Sequence, residues 1–542
     1  MIFLNMIQLL LEGGPLIHGG VRYLQQVFEF SLAGGRKQKY DLVKEALKER
    51  TLFLENGFYM NKAVPIIIPS NSLFWTMYYY LGTVVYHLVY VATADKNSSF
   101  KFKFPVIFGK NQMSQNFPYL DDQFKYGVVF EDGQMNDTRM NIDVLLTSTL
   151  ENYVPGMVGS NILNYAKVTN IIKNSETEKV EGVEFEDTIT GKKYQVKSRA
   201  VCNCAGNFSD QIRKMDNPDC GKKLLNVGGS HIVLGQKFGS KKYGMIFPET
   251  PDGRIIFSLP WQGELVVGTT EQSFDEPELN PKVSFDEMLY LVQEFQKINP
   301  KLQVQEISNG IKSKWCGLRP LILKNEYKEG EKIDTKSIAR THVIEVSKNN
   351  LFSLMGGKWT VYRKMGEETV DAICDYLKKE QGVTFNKSED GTKFLRLSGV
   401  FTKQKDFNFP KRRDYIKFFD KIMQEKYNFL EPVQSKHLIR TYGDRSFDIM
   451  KICKENMKLR ERVHPQHPFI KAEIVYHIRQ EMAIKPIDVI YRRTRLGFID
   501  RSAIMESLPG IVDIFAQEQK WDEQTKQKVF QESQQLVQEY QF

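Results

Sequence analysis

LFSLMGGKWTVYRKMGEETVDAICD, residues Leu351–Asp375, is the stretch from which the rest of the chain is read. Leu351–Met355 is a short apolar run suited to a buried strand. Gly356-Gly357 then permits a sharp turn, because glycine enters positive-φ backbone without steric cost. Beyond it Val361, Met365, Val370 and Ile373 fall on or near one helical face. Strand, glycine pair and helix leave unpaired N–H groups and the positive end of a dipole at the turn. Lys358 and Thr360 add a cation and a hydroxyl there. Such a turn suits an anion or an electron-rich ring edge, and equally an ordinary strand–helix connection.

At 542 residues the chain can hold two or three domains with real cores. Hydrophobic residues make up 41% and charged residues 26%, ordinary for a globular protein. The net charge of +9 is spread along the sequence, which reads as solvated surface, with an anionic substrate or membrane headgroups second. No zinc finger, RNP motif or long basic arm supports a nucleic-acid partner. Six cysteines without C-x-x-C spacing read as reduced thiols, so neither a disulfide frame nor a metal site is expected.

In chain order, Met1–Glu12 is apolar and lacks the Arg/Ser-rich character of a transit peptide. Gly13–Gly20 carries four glycines in eight residues, a loop suited to close backbone approach, and His18, Arg22 and Tyr23 belong to the same stretch. Tyr40–Gly57 has helical periodicity. Leu73–Ala94 holds no charge over 22 residues, but its tyrosines and His87 favour a buried or membrane-surface helix over a spanning one. Lys179–Glu186 and Lys193–Arg199 alternate around Thr190-Gly191, a hairpin signal. Ala200–Gly206 (AVCNCAG) reads as a buried strand ending at glycine, where α/β crevices form. Strands around His231, Ile255–Leu259 and Leu265–Gly268 predict a largely antiparallel second sheet. Ser284 and Glu287 form a capping box opening a helix to about Lys297. Beyond about Thr402 the chain reads as helical and charged.

Ten blocks then occur in one order: IHGGVRYL (17–24), EDGQMNDTRMN (131–141), CAGNFSDQIRKMD (204–216), GGSHIVL (228–234), PDGRIIFSLPW (251–261), VVGTTE (266–271), WCGLRPL (315–321), IARTHVIEV (338–346), GGKWTVYRKM (356–365) and RRTRLGF (492–498). Together they resemble the FAD-dependent glycerol-3-phosphate dehydrogenases of mitochondrial type, from about Leu16 to about Asp522. The resemblance implies an α/β fold: a D-amino-acid-oxidase-like FAD-dependent oxidoreductase body (1–400), with a parallel sheet and an antiparallel substrate sheet, and an α-helical C-terminal cap domain (401–542). It implies oxidation of sn-glycerol 3-phosphate to dihydroxyacetone phosphate, FAD as cofactor, quinone as electron acceptor, and peripheral association with the mitochondrial inner membrane. A homodimer is compatible with it.

Carried over residue by residue, the resemblance implies that Arg22, Arg319, Arg340 and Lys358 surround the phosphate and C2 oxygen. Tyr23, His231 and Thr270 line the same pocket, and His231, Arg319 and Lys358 are the expected catalytic residues. The chemistry is sound: a phosphate dianion suits forked guanidinium donors, and a histidine suits removal of the C2 hydroxyl proton. For the flavin, the resemblance implies Leu16, Gly19, Gly20, Ala205, Gly206, Gly356, Gly357, Lys358, Trp359 and Thr360, with Val168 supporting the adenosine part. Without the resemblance His231 reads as structural, and Arg22 and Arg319 as surface charges. RRTRLGF is expected at the cap-to-body interface.

The sequence departs from the family's pattern at Gly13-Gly14-Pro15, where Ser-rich residues are expected, in having no EF-hand loop after Asp522, and above all in its phosphate motif. No G-x-G-x-x-G occurs anywhere, so the unit that cradles the pyrophosphate is missing. The expectation is an incomplete parallel sheet with an unpaired edge. Two readings follow: an N-terminally incomplete form of a working enzyme, or a shortened non-catalytic paralogue acting as a membrane-associated scaffold or respiratory-assembly subunit.

Overall fold

The computed structural model describes residues 15–20, 36–95, 98, 100–153, 157–247, 255–327, 338–339, 341–385, 391–400 and 412–539. Arg22, Tyr23 and Arg340, three of the expected substrate contacts, lie outside the described residues, as does Met1–Glu12.

In chain order the strands are β1 (Leu16–Ile17), β2 (Lys62–Ser70), β3 (Val106–Phe108), β4 (Tyr126–Gln134), β5 (Ala166–Lys173), β6 (Val180–Asp187), β7 (Lys193–Lys197), β8 (Val201–Asn203), β9 (Lys222–Leu234), β10 (Gly244–Phe247), β11 (Ile256–Trp261), β12 (Glu264–Gly268), β13 (Gln272–Phe274), β14 (Ile311–Tyr327), β15 (Ile338–Ala339), β16 (His342–Val346) and β17 (Leu351–Gly356). The helices that position the site are α1 (Arg36–Asn56), α2 (Leu73–Thr93), α3 (Asp137–Ser148), α4 (Ser209–Asp216), α5 (Phe285–Ile298) and α6 (Tyr362–Gln381).

A large sheet orders β1-β4-β2-β10-β11-β12-β9-β14-β15, with β13 on β9 and β3 on β4. Neighbouring strands in it pair antiparallel except β2 and β10, which run parallel. Alternation along β9 and β12 sends successive side chains to opposite faces. Ile232, Leu234, Leu265 and Val267 pack with Leu291, Val292 and Phe295 of α5. Val233 and Val266 join the other core, with Trp261, Trp315, α1 residues Val43, Leu47 and Phe53, and the C-terminal helices. Each fully buried aliphatic or aromatic side chain here contributes about 1.5–3 kcal/mol of burial free energy.

Two three-stranded sheets complete the body: β16-β17-β8 and the meander β5-β6-β7. β17 runs parallel to β8 and antiparallel to β16. Among the described residues β8 has no strand on its other side. Two expectations need correction here. The stretch Ala200–Gly206 forms only a three-residue strand, and Val201 and Cys202 are half-buried. The turn after Gly356-Gly357 also begins with a 3₁₀ segment, Trp359–Val361, and the α-helix proper starts at Tyr362.

From Arg412 to Glu539 the chain is helical and packs on the body through the larger core. Buried ion pairs fix that packing. Arg139 of α3 pairs with Glu481 at 2.8 Å and Asp143 at 3.4 Å. Asp143 also receives Arg445 and the hydroxyl of Tyr59. Arg495, from RRTRLGF, reaches Asp137 at 3.2 Å and Thr138 Oγ1 at 2.6 Å, so this motif does serve the cap–body interface. Burial opposes the charge of Glu481, but Arg139 and neighbouring cations hold its carboxyl down to about 2. Such networks cost desolvation and repay it only when fully paired, so their clearest effect is to fix orientation.

Candidate active site

The substrate side is built on β9, β12 and β14, which lie adjacent in the large sheet. His231 stands opposite Gly268 on one side and Trp315 on the other. Its imidazole stacks on the Trp315 indole, centroids 5.3 Å apart and planes 17° apart. A side chain at position 268 would collide with the imidazole, since a Cβ there falls 2.3 Å from its Cδ2. Gly229 makes room in the same way: a Cβ there would lie 2.4 Å from Arg319 Nη2 and 2.5 Å from Thr269 Oγ1. VVGTTE and GGSHIVL therefore carry glycine where the side chains of His231 and Arg319 need space.

Arg319 donates to Thr269 Oγ1 at 2.9 Å and has Glu271 3.7 Å away. Burial depresses the Arg319 pKa and Glu271 acts against that shift. Thr270 is buried and donates to Glu287 Oε1 at 2.6 Å, while accepting the Ser230 N–H at 2.9 Å. Ser230 Oγ donates to the same carboxylate oxygen at 2.9 Å. The predicted helix cap residue Glu287 thus has a second role: besides closing the cap of α5 it ties Thr270 and Ser230 beneath His231. Burial, and then the nearby Arg319, lower the His231 pKa to about 3. His231 is therefore a neutral imidazole near pH 7. Its Nδ1 is buried without a hydrogen-bond partner among the described residues.

A second group of predicted residues gathers at the turn after β17. Gly356 and Gly357 take φ of 68° and 87°, which Lys358 follows in extended conformation. Thr360 Oγ1 donates to the His18 carbonyl at 3.3 Å, and the Gly19 N–H donates to Tyr86 Oη at 2.8 Å. The glycine loop and the helix start are therefore in contact. Loss of hydration, then Lys358 and Arg50, lower the His18 pKa to about 3. Trp359 packs edge-on against Phe53, and its buried Nε1 has no partner among the described residues.

β14 links the two groups: Leu318 O accepts from Asn207 Nδ2 at 3.0 Å, next to Ala205-Gly206, and Ile322 fills the space beside Gly356. Gly206 has φ 55° and Gly20 φ 81°. Leu16, at the start of the glycine loop, pairs with Gln134 of β4. Val168 lies in β5, packed with Ile171, Val180, Val183 and Leu351 under the small sheet. Sequence reasoning gave Thr269, Ser230 and Trp315 no individual role, named His18 only as part of the glycine loop and Glu287 only as a helix cap. Thr269 and Ser230 adjoin predicted residues, whereas the reach of Glu287 across 57 residues had no local signal.

The residues fit the ring end of a flavin. The glycine turn, Lys358 and the 3₁₀ start put a cation and a helix start together, and the unpartnered Trp359 Nε1 leaves a donor to spare. They do not supply a pyrophosphate cradle among the described residues.

Comparison with known proteins gives consistent matches. Residues 13–363 match the family described as FAD dependent oxidoreductase, and residues 392–526 the C-terminal domain of alpha-glycerophosphate oxidase. A probable mitochondrial glycerol-3-phosphate dehydrogenase of Dictyostelium discoideum is 31% identical over 530 residues, 96% of this chain and 76% of that protein. The probable Caenorhabditis elegans counterpart is 36% identical over 515 residues, 93% of this chain and 65% of its own length. The mitochondrial glycerol-3-phosphate dehydrogenase of Homo sapiens is 31% identical over 524 residues, 95% of this chain and 66% of its length. The chain thus spans slightly under two thirds of those last two relatives. In fold it is similar to the glycerol-3-phosphate dehydrogenase of Bacillus halodurans, solved with FAD, at TM-score 0.73 and 22% identity, covering 99% of this chain and 89% of that one. The chain belongs to the family of FAD-dependent glycerol-3-phosphate dehydrogenases.

Proposed function

We propose that this chain oxidises sn-glycerol 3-phosphate to dihydroxyacetone phosphate with FAD, passing electrons to quinone at the surface of the mitochondrial inner membrane. What supports the reading is that His231, stacked on Trp315, and Arg319, bonded to Thr269, stand on adjacent strands where Gly268 and Gly229 leave them room. Arg319 and Lys358, with Arg22 and Arg340, take the phosphate and the C2 oxygen, since charge and fork geometry match an anion. His231 accepts the proton of the C2 hydroxyl, its ring held in place by the stack on Trp315. The cations favour negative charge developing on the C2 oxygen. FAD, when bound, supplies the two-electron acceptor for the hydride of C2. Gly19, Gly20, Ala205, Gly206 and the Gly356–Thr360 turn hold its ring end, with Leu16 at the start of the glycine loop and Val168 toward the adenosine part.

The membrane reading draws on α2. Among the described residues no helix is long and apolar enough to cross a membrane. Yet Leu73, Phe74, Trp75, Met77, Tyr78, Leu81, Leu88 and Val91 of α2 are exposed, beside exposed Phe104, Val106 and Ile107. An apolar, tyrosine-rich face of this kind suits the headgroup–acyl boundary.

Purified chain supplied with FAD should acquire visible flavin absorbance that glycerol 3-phosphate bleaches and a ubiquinone analogue restores. Bound flavin that the substrate leaves unbleached would refute the reading. The exposed apolar face of α2 also suits a second reading, the non-catalytic membrane-associated scaffold. It predicts a colourless chain that floats with vesicles and shows no turnover, and stoichiometric flavin excludes it.

A further inference from the structure

The sequence treats all six cysteines alike, but two of them occupy an unusual position. Cys202 Sγ lies 3.5 Å from Cys204 Sγ. The cause is local. Asn203 is pinned to the opposite side of the strand, its Nδ2 donating to Ser209 O at 3.0 Å and Ser353 Oγ at 3.2 Å. Its Oδ1 accepts the Ala205 N–H at 3.1 Å, which curls the chain just past the strand end. Residues i and i+2 of a strand share a face, so the two cysteines project together away from Asn203. Both are half-buried. By contrast Cys316 and Cys453 are buried.

A disulfide requires about 2.05 Å between sulfurs and a Cα separation up to about 6.8 Å, which an i, i+2 pair just satisfies. The needed approach is about 1.5 Å, and Cys204 lies beyond the last paired residue of β8, where no ladder hydrogen bond resists movement.

We propose that Cys202 and Cys204 form a two-electron redox site that closes to an intrachain disulfide on reaction with hydrogen peroxide. The Cys204 sulfur attacks one peroxide oxygen, the O–O bond breaks, and hydroxide leaves as water after taking a proton. The Cys202 sulfur then attacks the resulting Cys204 sulfenic acid. The S–O bond breaks, the S–S bond forms, and the second hydroxide leaves with the Cys202 proton as water. Two thiols lose two electrons in all, and one peroxide becomes two waters. Cys204 attacks first because it lies past the last paired residue of β8 and has room to move; either sulfur can donate in their contact. Ala205-Gly206 follows directly, so the disulfide forms at the foot of the turn tied to Leu318.

The test uses the full chain, reduced and desalted, treated with one equivalent of hydrogen peroxide and then alkylated. The expected product has lost two hydrogen masses, with the link inside the peptide Ala200–Arg213 and Cys220 and Cys374 still alkylated. Loss of the Cys202 and Cys204 thiols should run at least about tenfold faster than at Cys220 or Cys374. Cys204→Ser should abolish the link and slow consumption of Cys202 to the rate of the other cysteines. Phenylarsine oxide, which bridges two close thiols, needs no variant: bound to the reduced wild type it should protect both cysteines from alkylation. The proposal is overturned if peroxide gives sulfinic acid at one cysteine while the other stays alkylatable, or if the arsenical leaves both reactive.

Discussion

Replacing Arg319 by alanine tests the phosphate assignment directly. The guanidinium donates to Thr269 Oγ1 at 2.9 Å, has Glu271 3.7 Å away, and keeps 38% of its side chain exposed. It is therefore held in place yet open to a ligand. Truncating one partner of a desolvated, hydrogen-bonded charge pair costs about 2–5 kcal/mol. Partial exposure and the surviving Lys358 place Arg319 toward the lower end, about 2–3 kcal/mol, or roughly 30- to 150-fold in kcat/KM. The assay is glycerol 3-phosphate-dependent dye reduction by the FAD-loaded chain, with glycerol as the substrate lacking phosphate. Arg319→Ala should lower the slow rate with glycerol by clearly less than it lowers the rate with glycerol 3-phosphate, because the phosphate contact is missing there in both enzymes. Arg319→Lys keeps charge but loses the fork, so it should recover no more than about a tenfold part of the loss. An unaltered kcat/KM for glycerol 3-phosphate, or an equal loss with glycerol, refutes the assignment.

His231→Asn should lower kcat by about 10²- to 10⁴-fold, the usual worth of a positioned base. Because the His231 pKa is lowered to about 3, the kcat/KM profile of the wild type should lack an acid limb near pH 6.5 attributable to it; such a limb, abolished by the substitution, contradicts the reading. The same shift has a stability consequence. Burial lowers the pKa of both His231 and His477, so the unfolded chain binds protons that the folded chain refuses. Each contribution is present above the unfolded value and is lost as pH falls below it, on the order of 2 kcal/mol per histidine between pH 7 and pH 5. Urea unfolding of His477→Asn at those two pH values should show a correspondingly shallower dependence, and an identical slope refutes it. Arg495→Met leaves Asp137 buried without its cation and should cost about 3–5 kcal/mol in denaturant unfolding, most of it recovered by adding Asp137→Asn. Phe74→Glu with Trp75→Glu should reduce flotation with anionic lipid vesicles without lowering dye-linked turnover, and unchanged flotation removes α2 from the membrane face.

Much of the fold was legible because its signals are local. The β6–β7 hairpin has turn chemistry at Thr190-Gly191, α5 has its capping box, and β17 has an apolar run closed by two glycines. Individual site residues could be named only through the order of ten motifs, since a lone histidine after Gly-Gly-Ser carries no chemistry on its own. What stayed illegible is what depends on distant neighbours. The apolar run Ala200–Gly206 does not say how many of its residues pair with a neighbour; only Val201–Asn203 do so, against β17. The apolar length of α2 says nothing of which side is covered; packing buries Thr76, Thr83, Tyr86, Val89 and Tyr90 and leaves the larger apolar residues outside.

The RRTRLGF motif shows how such distant contacts bear on chemistry. The Arg495 guanidinium lies over the Trp261 ring at 5.3 Å and over Phe498 at 4.8 Å. Trp261 stands 6.1 Å from Trp315, Phe498 meets Trp315 at 5.5 Å, and Trp315 stacks on His231. A continuous row of rings therefore runs from the buried Asp137–Arg495 pair to the imidazole. Rings in a close-packed core cannot shift singly without opening a void, so the cap holds the plane of His231 from behind while Gly268 leaves its front edge clear. Arg495 also adds to the effects that keep the imidazole neutral, after burial and Arg319. A buried ion pair of little net stabilising value thus has a reason to stand where it does: it anchors the stack that sets the orientation of the proposed base.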